Sequence, residues 1–171
     1  MSYLRLSLMS IILVIIFCGC VENQLRTAYI NEEFGVGIDP PDNWIEMNFS
    51  SNEWIAGWTS SLNSSTSLTI SPPYRLDEGL ALSVFADDIE ETYPTHYSNF
   101  STVTRDWLTI RGLTAYEIIY HYSFNGSVIK ERQVMVKHTR DVYILKYHSS
   151  SSEYDMYFSS VDKSISSFQI K

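Results

Sequence analysis

The side chains with the most potential for chemistry are the histidines and carboxylates, and their spacing gives no compact ligand set. Histidine is a common metal ligand and general base. No two histidines have the H-x-H or i, i+4 spacing that would direct both to one metal ion. They are His96, His121, His138 and His148. A metal site built from His121, Glu117 and Glu131 on one face of a predicted sheet is an alternative to ordinary surface histidines. We predict no metal site.

A second group of potential ligands is acidic and lies at 87–91. It contains Asp87, Asp88, Glu90 and Glu91. Hard cations such as Ca²⁺ bind where several carboxylates converge on one point. On a helix, near neighbours in sequence fan outward instead. We therefore interpret these four carboxylates as the solvated face of an amphipathic helix.

Known catalytic and cofactor motifs are missing from the sequence. There is no G-x-S-x-G, no phosphate-binding loop, no G-x-G-x-x-G and no H-E-x-x-H. The glycine pair Gly35 and Gly37 is too short a pattern to hold a phosphate group. We predict a protein that is not an enzyme and has no cofactor. A hydrolase with dispersed catalytic residues is the least favoured alternative.

Composition and charge exclude one class of partner. The 171 residues are 44% apolar and 19% charged, which is typical of a single folded domain. The formal net charge is −8 and the pI about 4.9. Such a surface repels nucleic-acid phosphates, so no nucleic-acid partner is expected. It also repels anionic lipids, so membrane attachment would need a hydrophobic device.

Residues 1–20 have the layout of a secretory signal. A positively charged start is followed by an apolar run to Phe17 and then by Gly19-Cys20. The run is shorter than the roughly 20 apolar residues that cross a bilayer. The ending resembles a prokaryotic lipoprotein signal, in which the cysteine carries the lipid. Because Phe17 and Cys18 depart from the bacterial pattern, the signal is closer to an archaeal type.

We therefore expect lipidation at Cys20 and anchoring to the outer face of the cytoplasmic membrane, at the cell surface. An uncleaved anchor helix is the alternative. Residues 21–27 are then a short linker, and 28–171 form the domain. Four N-x-[ST] sequons are candidates for glycosylation of such an exported protein. They are at Asn48, Asn63, Asn99 and Asn125.

Hydrophobic periodicity predicts an α+β domain. Apolar residues at helical spacing predict helices over 80–93, ended by Pro94, and over 152–168. Alternating or aromatic-rich segments predict strands. The predicted strands are 34–38, 45–49, 53–59, 67–70, 102–111, 114–123, 127–138 and 142–148. The last four form an antiparallel meander.

The pairing of the meander can be predicted from which register keeps one face apolar. A two-residue Asn125-Gly126 loop would bury Glu131 and Gln133, so a three-residue loop at 124–126 is favoured. The turn at 139–140 then sets Tyr143 opposite Val136 and Leu145 opposite Val134. The expected buried face contains Tyr116, Ile118, Val134, Val136, Tyr143 and Leu145. The opposite face, with Glu117, His121, Glu131 and Gln133, is expected to be more exposed and to contact a partner.

Three segments carry a resemblance to a known family: FGVGIDPPDNW at 34–44, TAYE at 114–117 and SISSF at 164–168. They resemble the PsbP-like family, named for an extrinsic subunit of the photosynthetic oxygen-evolving complex. The family is similar in fold to a Ran-binding nuclear-import family. The resemblance spans about 28–170 and implies an α/β/α sandwich with a central, mostly antiparallel sheet. It also implies a non-enzymatic module, here as a stand-alone archaeal-type lipoprotein.

Two classes of binding function stay open at this point. The first is a surface-anchored module that binds a protein partner, which the sequence does not identify, or assists assembly. The second is a small-ligand binder with a pocket between the sheet and a helix. Such a pocket would be lined by one of four tryptophans. They are Trp44, Trp54, Trp58 and Trp107. The family's metal-linked role is not expected, because none of its proposed metal-handling residues maps onto this sequence.

Overall fold

A computed structural model describes residues 28–62 and 64–171 of the chain. These residues form eleven strands and two helices. The strands are β1 (Tyr29–Asn31), β2 (Val36–Ile38), β3 (Ile45–Glu46), β4 (Ala56–Thr59), β5 (Ser67–Ile70), β6 (Tyr74–Arg75), β7 (Ser98–Ile110), β8 (Leu113–Phe124), β9 (Ser127–His138), β10 (Asp141–Ser150) and β11 (Gln169–Ile170). The helices are α1 (Leu82–His96) and α2 (Tyr154–Ser167).

The centre of the fold is an eight-stranded sheet in the order β3-β4-β5-β10-β9-β8-β7, with β6 paired to the start of β10. Every strand pair in it is antiparallel. A second, three-stranded sheet has the order β1-β2-β11. The late strands β7 to β10 follow one another along the chain as neighbours. The predicted meander and the mostly antiparallel sheet are therefore confirmed.

The two helices pack on opposite faces of the large sheet. On one face, α1 buries Leu82, Ala86 and Tyr93 against Tyr116 and Ile118 of β8 and their neighbours. On the other face, α2 buries an apolar stripe against β9 and β10. That second core includes Val161, Ile165, Phe168, Val134, Val136, Tyr143 and Leu145. The predicted α+β class and the α/β/α arrangement are confirmed.

Helix α1 extends further than predicted. It continues through Pro94 to His96 instead of ending before the proline. Pro94 lies in the last turn, where the missing N–H removes only one intrahelical hydrogen bond. Beyond it, the Tyr97 amide still donates to the Tyr93 carbonyl at 2.7 Å, and the Thr95 hydroxyl donates to the Thr92 carbonyl at 2.6 Å. These two hydrogen bonds stabilise the last turn, so the helix continues for two residues beyond the proline.

The β8–β9 register differs from the prediction. Tyr116 pairs with Met135 and Tyr120 with Glu131, which makes Asn125-Gly126 a two-residue turn. Asn125 has φ 48° and Gly126 has φ 79°. Two consecutive positive φ values are the geometry of a type I′ hairpin, for which Asn-Gly is the preferred sequence. The three-residue loop was therefore wrong, because the turn preference outweighed the cost of placing polar β9 side chains inside.

One consequence is that the expected buried face is divided between the two sides of the sheet. Tyr116 and Ile118 lie in the core under α1, whereas Val134 and Val136 lie in the core under α2. The β9–β10 register is as predicted, with Tyr143 opposite Val136 and Leu145 opposite Val134. The wrong prediction therefore concerns one turn. It reverses which β8 side chains lie on the same face of the sheet as Val134 and Val136.

The turn assignment predicts a specific loss of stability. Gly126→Ala would place a Cβ on a residue in the left-handed region, which costs an L-residue roughly 1–2 kcal/mol. We expect a decrease of about 1 kcal/mol in the free energy of unfolding, measured by urea denaturation. The neighbouring exposed Ser127→Ala variant is the control and should change stability by less than about 0.5 kcal/mol. Full stability of Gly126→Ala would contradict the two-residue turn.

Candidate functional site

The four residues proposed as an exposed contact face do not share a face. Glu117 pairs with Val134 and His121 with Lys130, so both lie on the α2 side of the sheet. Glu131 and Gln133 lie on the α1 side. Glu117, Glu131 and Gln133 are buried, and only His121 is partly exposed. The prediction of a common exposed face is wrong, for the reason given by the β8–β9 turn.

Glu131 is instead the centre of a buried polar cluster under α1. Its side chain is 2% exposed and accepts a hydrogen bond from the Tyr120 hydroxyl. The Tyr122 hydroxyl donates at 3.2 Å, and His148 Nδ1 donates at 3.0 Å. Lys146 Nζ lies 3.3 Å from the other carboxylate oxygen. We refer to Glu131, Lys146, His148, Tyr120 and Tyr122 as the Glu131 cluster.

The cluster keeps both of its charged members ionised. Burial opposes ionisation of Glu131, but the His148 hydrogen bond, the Lys146 charge and the Tyr120 hydroxyl outweigh it and lower the pKa of Glu131. Burial also opposes the charge on Lys146, but Glu131 outweighs it and raises the pKa of Lys146. A buried ion pair is tolerated where further hydrogen bonds satisfy its remaining groups. The tyrosine hydroxyls and His148 supply them here.

A second layer of tyrosines connects the cluster to α1. The Tyr93 hydroxyl donates to Gln133 Oε1, and its ring centroid lies 4.9 Å from that of Tyr120. The ring of Tyr97 stacks on that of Tyr122 at 4.2 Å. Desolvation raises the pKa of Tyr93 to about 12, so its hydroxyl stays protonated and available as a donor. The helix therefore supplies both aromatic cover and a hydrogen bond.

Sequence reasoning missed this cluster because it treated Glu131 and Gln133 as solvent-facing. The signal that could have found it is the number of tyrosines that meet on the α1 side. Tyr120 and Tyr122 are two residues apart on β8 and share one face, while Tyr93 lies in the last turn of α1 and Tyr97 directly follows the helix. Buried tyrosine hydroxyls need hydrogen-bond partners. A carboxylate and an amide opposite them satisfy that need.

Two arginines of the sheet form ion pairs that tie the helices to it. Arg132 is 5% exposed and donates both to Glu117 and, at 2.8 Å, to Asp162 of α2. Arg105 of β7 donates to both carboxylate oxygens of Glu90, at 2.9 and 2.7 Å. Glu90 is 6% exposed. The acidic group at 87–91 is therefore not entirely a solvated face, since Glu90 is an anchor between α1 and β7.

A pocket of about 260 Å³ opens beside the Glu131 cluster, between α1 and the sheet. We call it the α1 pocket. Its wall is mostly aromatic and apolar, and its inner end is polar. The lining residues are Trp54, Ser71, Tyr74, Phe85, Ile89, Tyr93, Gln133, Ile144 and Lys146. A separate, more open cleft of about 510 Å³ shares Trp54 with it.

The four tryptophans considered as pocket-lining residues have different environments. Trp54 lines the α1 pocket, whereas Trp58 is a core residue at 2% exposure. Trp44 packs edge-on against Tyr157 of α2, with ring centroids 5.7 Å apart. Trp107, on the edge strand β7, is 56% exposed. Of the four, Trp54 therefore contributes most directly to an enclosed site.

The remaining sequence candidates are dispersed. Asn48, Asn99 and Asn125 are exposed, while Asn63 and Cys20 lie outside the described residues. His121 lies on the opposite face of the sheet from Glu131, so the metal site imagined there has no geometric basis. Among the described residues, no group of three or more His, Cys, Asp or Glu side chains is arranged to hold a metal ion. Within 28–62 and 64–171, neither helix is long and apolar enough to cross a membrane.

Comparison with solved structures places the chain in a known fold. It is similar to the cyanobacterial PsbP protein CyanoP from Synechocystis sp. PCC 6803, with a TM-score of 0.64 and 12% identity, covering 91% of this chain and 99% of that one. It is also similar to LpqN of Mycobacterium tuberculosis, with a TM-score of 0.60 and 16% identity over 85% and 90% of the two chains. No protein-family model and no curated protein matches the sequence.

A third similar structure is a protein of unknown function from Pseudomonas aeruginosa, described as a putative regulator. Its TM-score is 0.58 at 15% identity, covering 85% of this chain and 96% of that one. None of these three proteins is described as an enzyme. The chain therefore has a PsbP-like fold, as the sequence resemblance implied. At these identities the similarity establishes the fold alone.

The cluster predicts a large effect of removing its central carboxylate. Glu131→Ala would leave the buried hydroxyls of Tyr120 and Tyr122, and the partly exposed Lys146 and His148, without their acceptor. Breaking a buried ion pair in this way costs about 3–5 kcal/mol. We expect a loss of that size in the free energy of unfolding, measured by urea denaturation at pH 7. The exposed Glu91→Ala variant on α1 is the matched control, and an equal loss in both variants would argue against the cluster.

Proposed function

We propose that this chain is an exported, lipid-anchored module that binds a partner at the cell surface and does not act as an enzyme. The proposal combines the N-terminal signal ending at Cys20 with the PsbP-like fold. LpqN, which has this fold, is described as involved in cell envelope biogenesis. That description supports an envelope role for this chain as well.

The non-enzymatic part of the proposal is supported by the way the buried carboxylates are paired with basic side chains. Glu90 is held by Arg105, Glu117 by Arg132, and Glu131 by Lys146 and His148. A general base or nucleophile must be within reach of a substrate and not saturated by structural donors. Among the described residues, these three carboxylates serve packing and orientation.

Trp107 is the best candidate for the centre of a partner contact. It is 56% exposed on the edge strand β7 and is supported by Tyr116, whose ring centroid lies 4.8 Å away. It also borders a shallow cleft of about 430 Å³ with Leu82, Thr114 and Lys137. Tryptophan is among the residues most enriched at interface hot spots, especially where it is held rigidly.

The anchoring proposal predicts the behaviour of a single-residue variant. Cys20→Ser removes the only thiol in the position where a lipid is expected, so the protein should stay unprocessed or be released into the medium. Cell fractionation and intact mass spectrometry would measure both outcomes. Cys18→Ser is the matched control and should be processed and retained like the parent. If Cys20→Ser behaved like that control, the lipid anchor would be excluded.

The partner proposal predicts a loss of binding at Trp107. The full chain, isolated from native membranes after cross-linking, should retain a specific protein, and Trp107→Ala should reduce its binding by about tenfold or more. That corresponds to a hot spot of at least about 2 kcal/mol. Phe124→Ala is the control, because Phe124 is 57% exposed at the tip of the β8–β9 hairpin. Equal capture by Trp107→Ala and the parent would exclude this surface.

A further inference from the structure

The ammonium group of Lys146 lies at the inner end of the α1 pocket, and hydrogen bonding within the protein satisfies only part of its donor capacity. Among the described residues, Glu131 is the one acceptor that Lys146 Nζ contacts, at 3.3 Å. Nζ also lies 5.5 Å from the ring centroid of Trp54, a cation–π contact at the pocket wall. An ammonium group carries three N–H donors. The Lys146 side chain is 21% exposed, and it lines the pocket, so donor capacity remains there.

Gln133 supplies a second donor beside it. Gln133 is 2% exposed, and its Oε1 accepts a hydrogen bond from the Tyr93 hydroxyl. Its Nε2 makes no hydrogen bond to any described residue, although Gln133 lines the pocket. An amide N–H₂ at a pocket wall is a donor that a ligand can use. Lys146 and Gln133 are directly opposite each other across β9–β10, so the two donors lie side by side at the same end.

The rest of the pocket is apolar and aromatic. Phe85 and Ile89 of α1 form one wall, and Trp54 forms another. The rings of Tyr74 and Phe85 are in contact near the exposed side, with centroids 5.8 Å apart. The volume of about 260 Å³ is below the range of roughly 300–1,000 Å³ that accommodates drug-sized ligands. The occupant must therefore be small, with one polar end.

We propose that the α1 pocket binds a small monocarboxylic acid with a compact apolar body. The carboxylate accepts hydrogen bonds from Lys146 Nζ and Gln133 Nε2, and the body lies between Trp54, Phe85 and Ile89. A carboxylate is the complement of two adjacent donors, one of which is charged. Binding would give the Gln133 amide an acceptor, while Tyr120, Tyr122 and His148 remain as donors to Glu131. This site is independent of the lipid anchor and of the Trp107 surface.

The test uses three probe acids and one neutral analogue with the full chain. Hexanoate, 3-phenylpropanoate and indole-3-acetate are titrated at pH 7 and binding is followed by isothermal calorimetry and saturation-transfer NMR. We expect saturable one-to-one binding of at least one acid. The amide of the best acid keeps the body but loses the charge, and it should bind at least tenfold more weakly.

Variants locate the binding in the pocket. Ile89→Trp fills the apolar part and should weaken binding of the best acid at least tenfold. Val84→Trp is the matched control on the same helix, because Val84 is 44% exposed and does not line the pocket, and it should bind like the parent. Lys146→Met should weaken binding at least tenfold. If that variant does not fold, the double variant Lys146→Met with Glu131→Gln removes both charges and serves the same purpose.

Three results would overturn the proposal. The first is an absence of saturable binding for all three acids. The second is equal affinity for the acid and its amide, which would mean that the donors do not recognise the charge. The third is an equal effect of Ile89→Trp and Val84→Trp, which would place binding elsewhere on the protein.

Discussion

The structure depends on the burial of one carboxylate in the middle of the sheet. Because Glu131 is inaccessible to water, the hydrogen-bond donors that water would otherwise provide must come from the protein. Tyr120 and Tyr122 supply hydroxyls from β8, and Lys146 and His148 supply cationic or imidazole donors from β10. The carboxylate therefore links three adjacent strands and is satisfied only in one register of each pair.

The same logic explains how each helix is attached. On the α1 side, Glu90 is held by Arg105 of β7, and Tyr93 donates to Gln133. On the α2 side, Arg132 bridges Glu117 of β8 and Asp162 of the helix. The apolar stripes provide the larger part of the packing energy, because burial of each large side chain contributes about 1.5–3 kcal/mol. The ion pairs add orientation, since each is satisfied in one placement of its helix.

Much of this architecture could be predicted from periodicity, and the largest exception, the β8–β9 register, has a physical explanation. The α+β class, both helices, the meander and the β9–β10 register follow from apolar patterns that the structure retains. The β8–β9 register could not be predicted by keeping polar residues outside, because tyrosine hydroxyls satisfy Glu131 and Gln133 inside. Here the local rule, Asn-Gly at a two-residue turn, was the better guide. A pocket between the sheet and a helix, lined by Trp54, was one of the predicted alternatives. The presence of Gln133 on the same side of the sheet as Tyr120 depends on this register, so that part of its lining could not be predicted.

The central claim is that Glu131 is buried and ionised, and a ¹³C NMR titration of its side-chain carboxyl tests it most directly. Because the pKa of Glu131 is lowered in the folded protein, the ionised group stabilises the fold above the ordinary glutamate pKa of about 4.3. That contribution is lost as the pH falls through the lowered value. The account predicts that the Glu131 signal, identified by its loss in Glu131→Gln, titrates below about 4.3. Titration above that value would mean a carboxyl that is protonated more readily than usual, and would contradict the ion pair on which the rest of the structure is built.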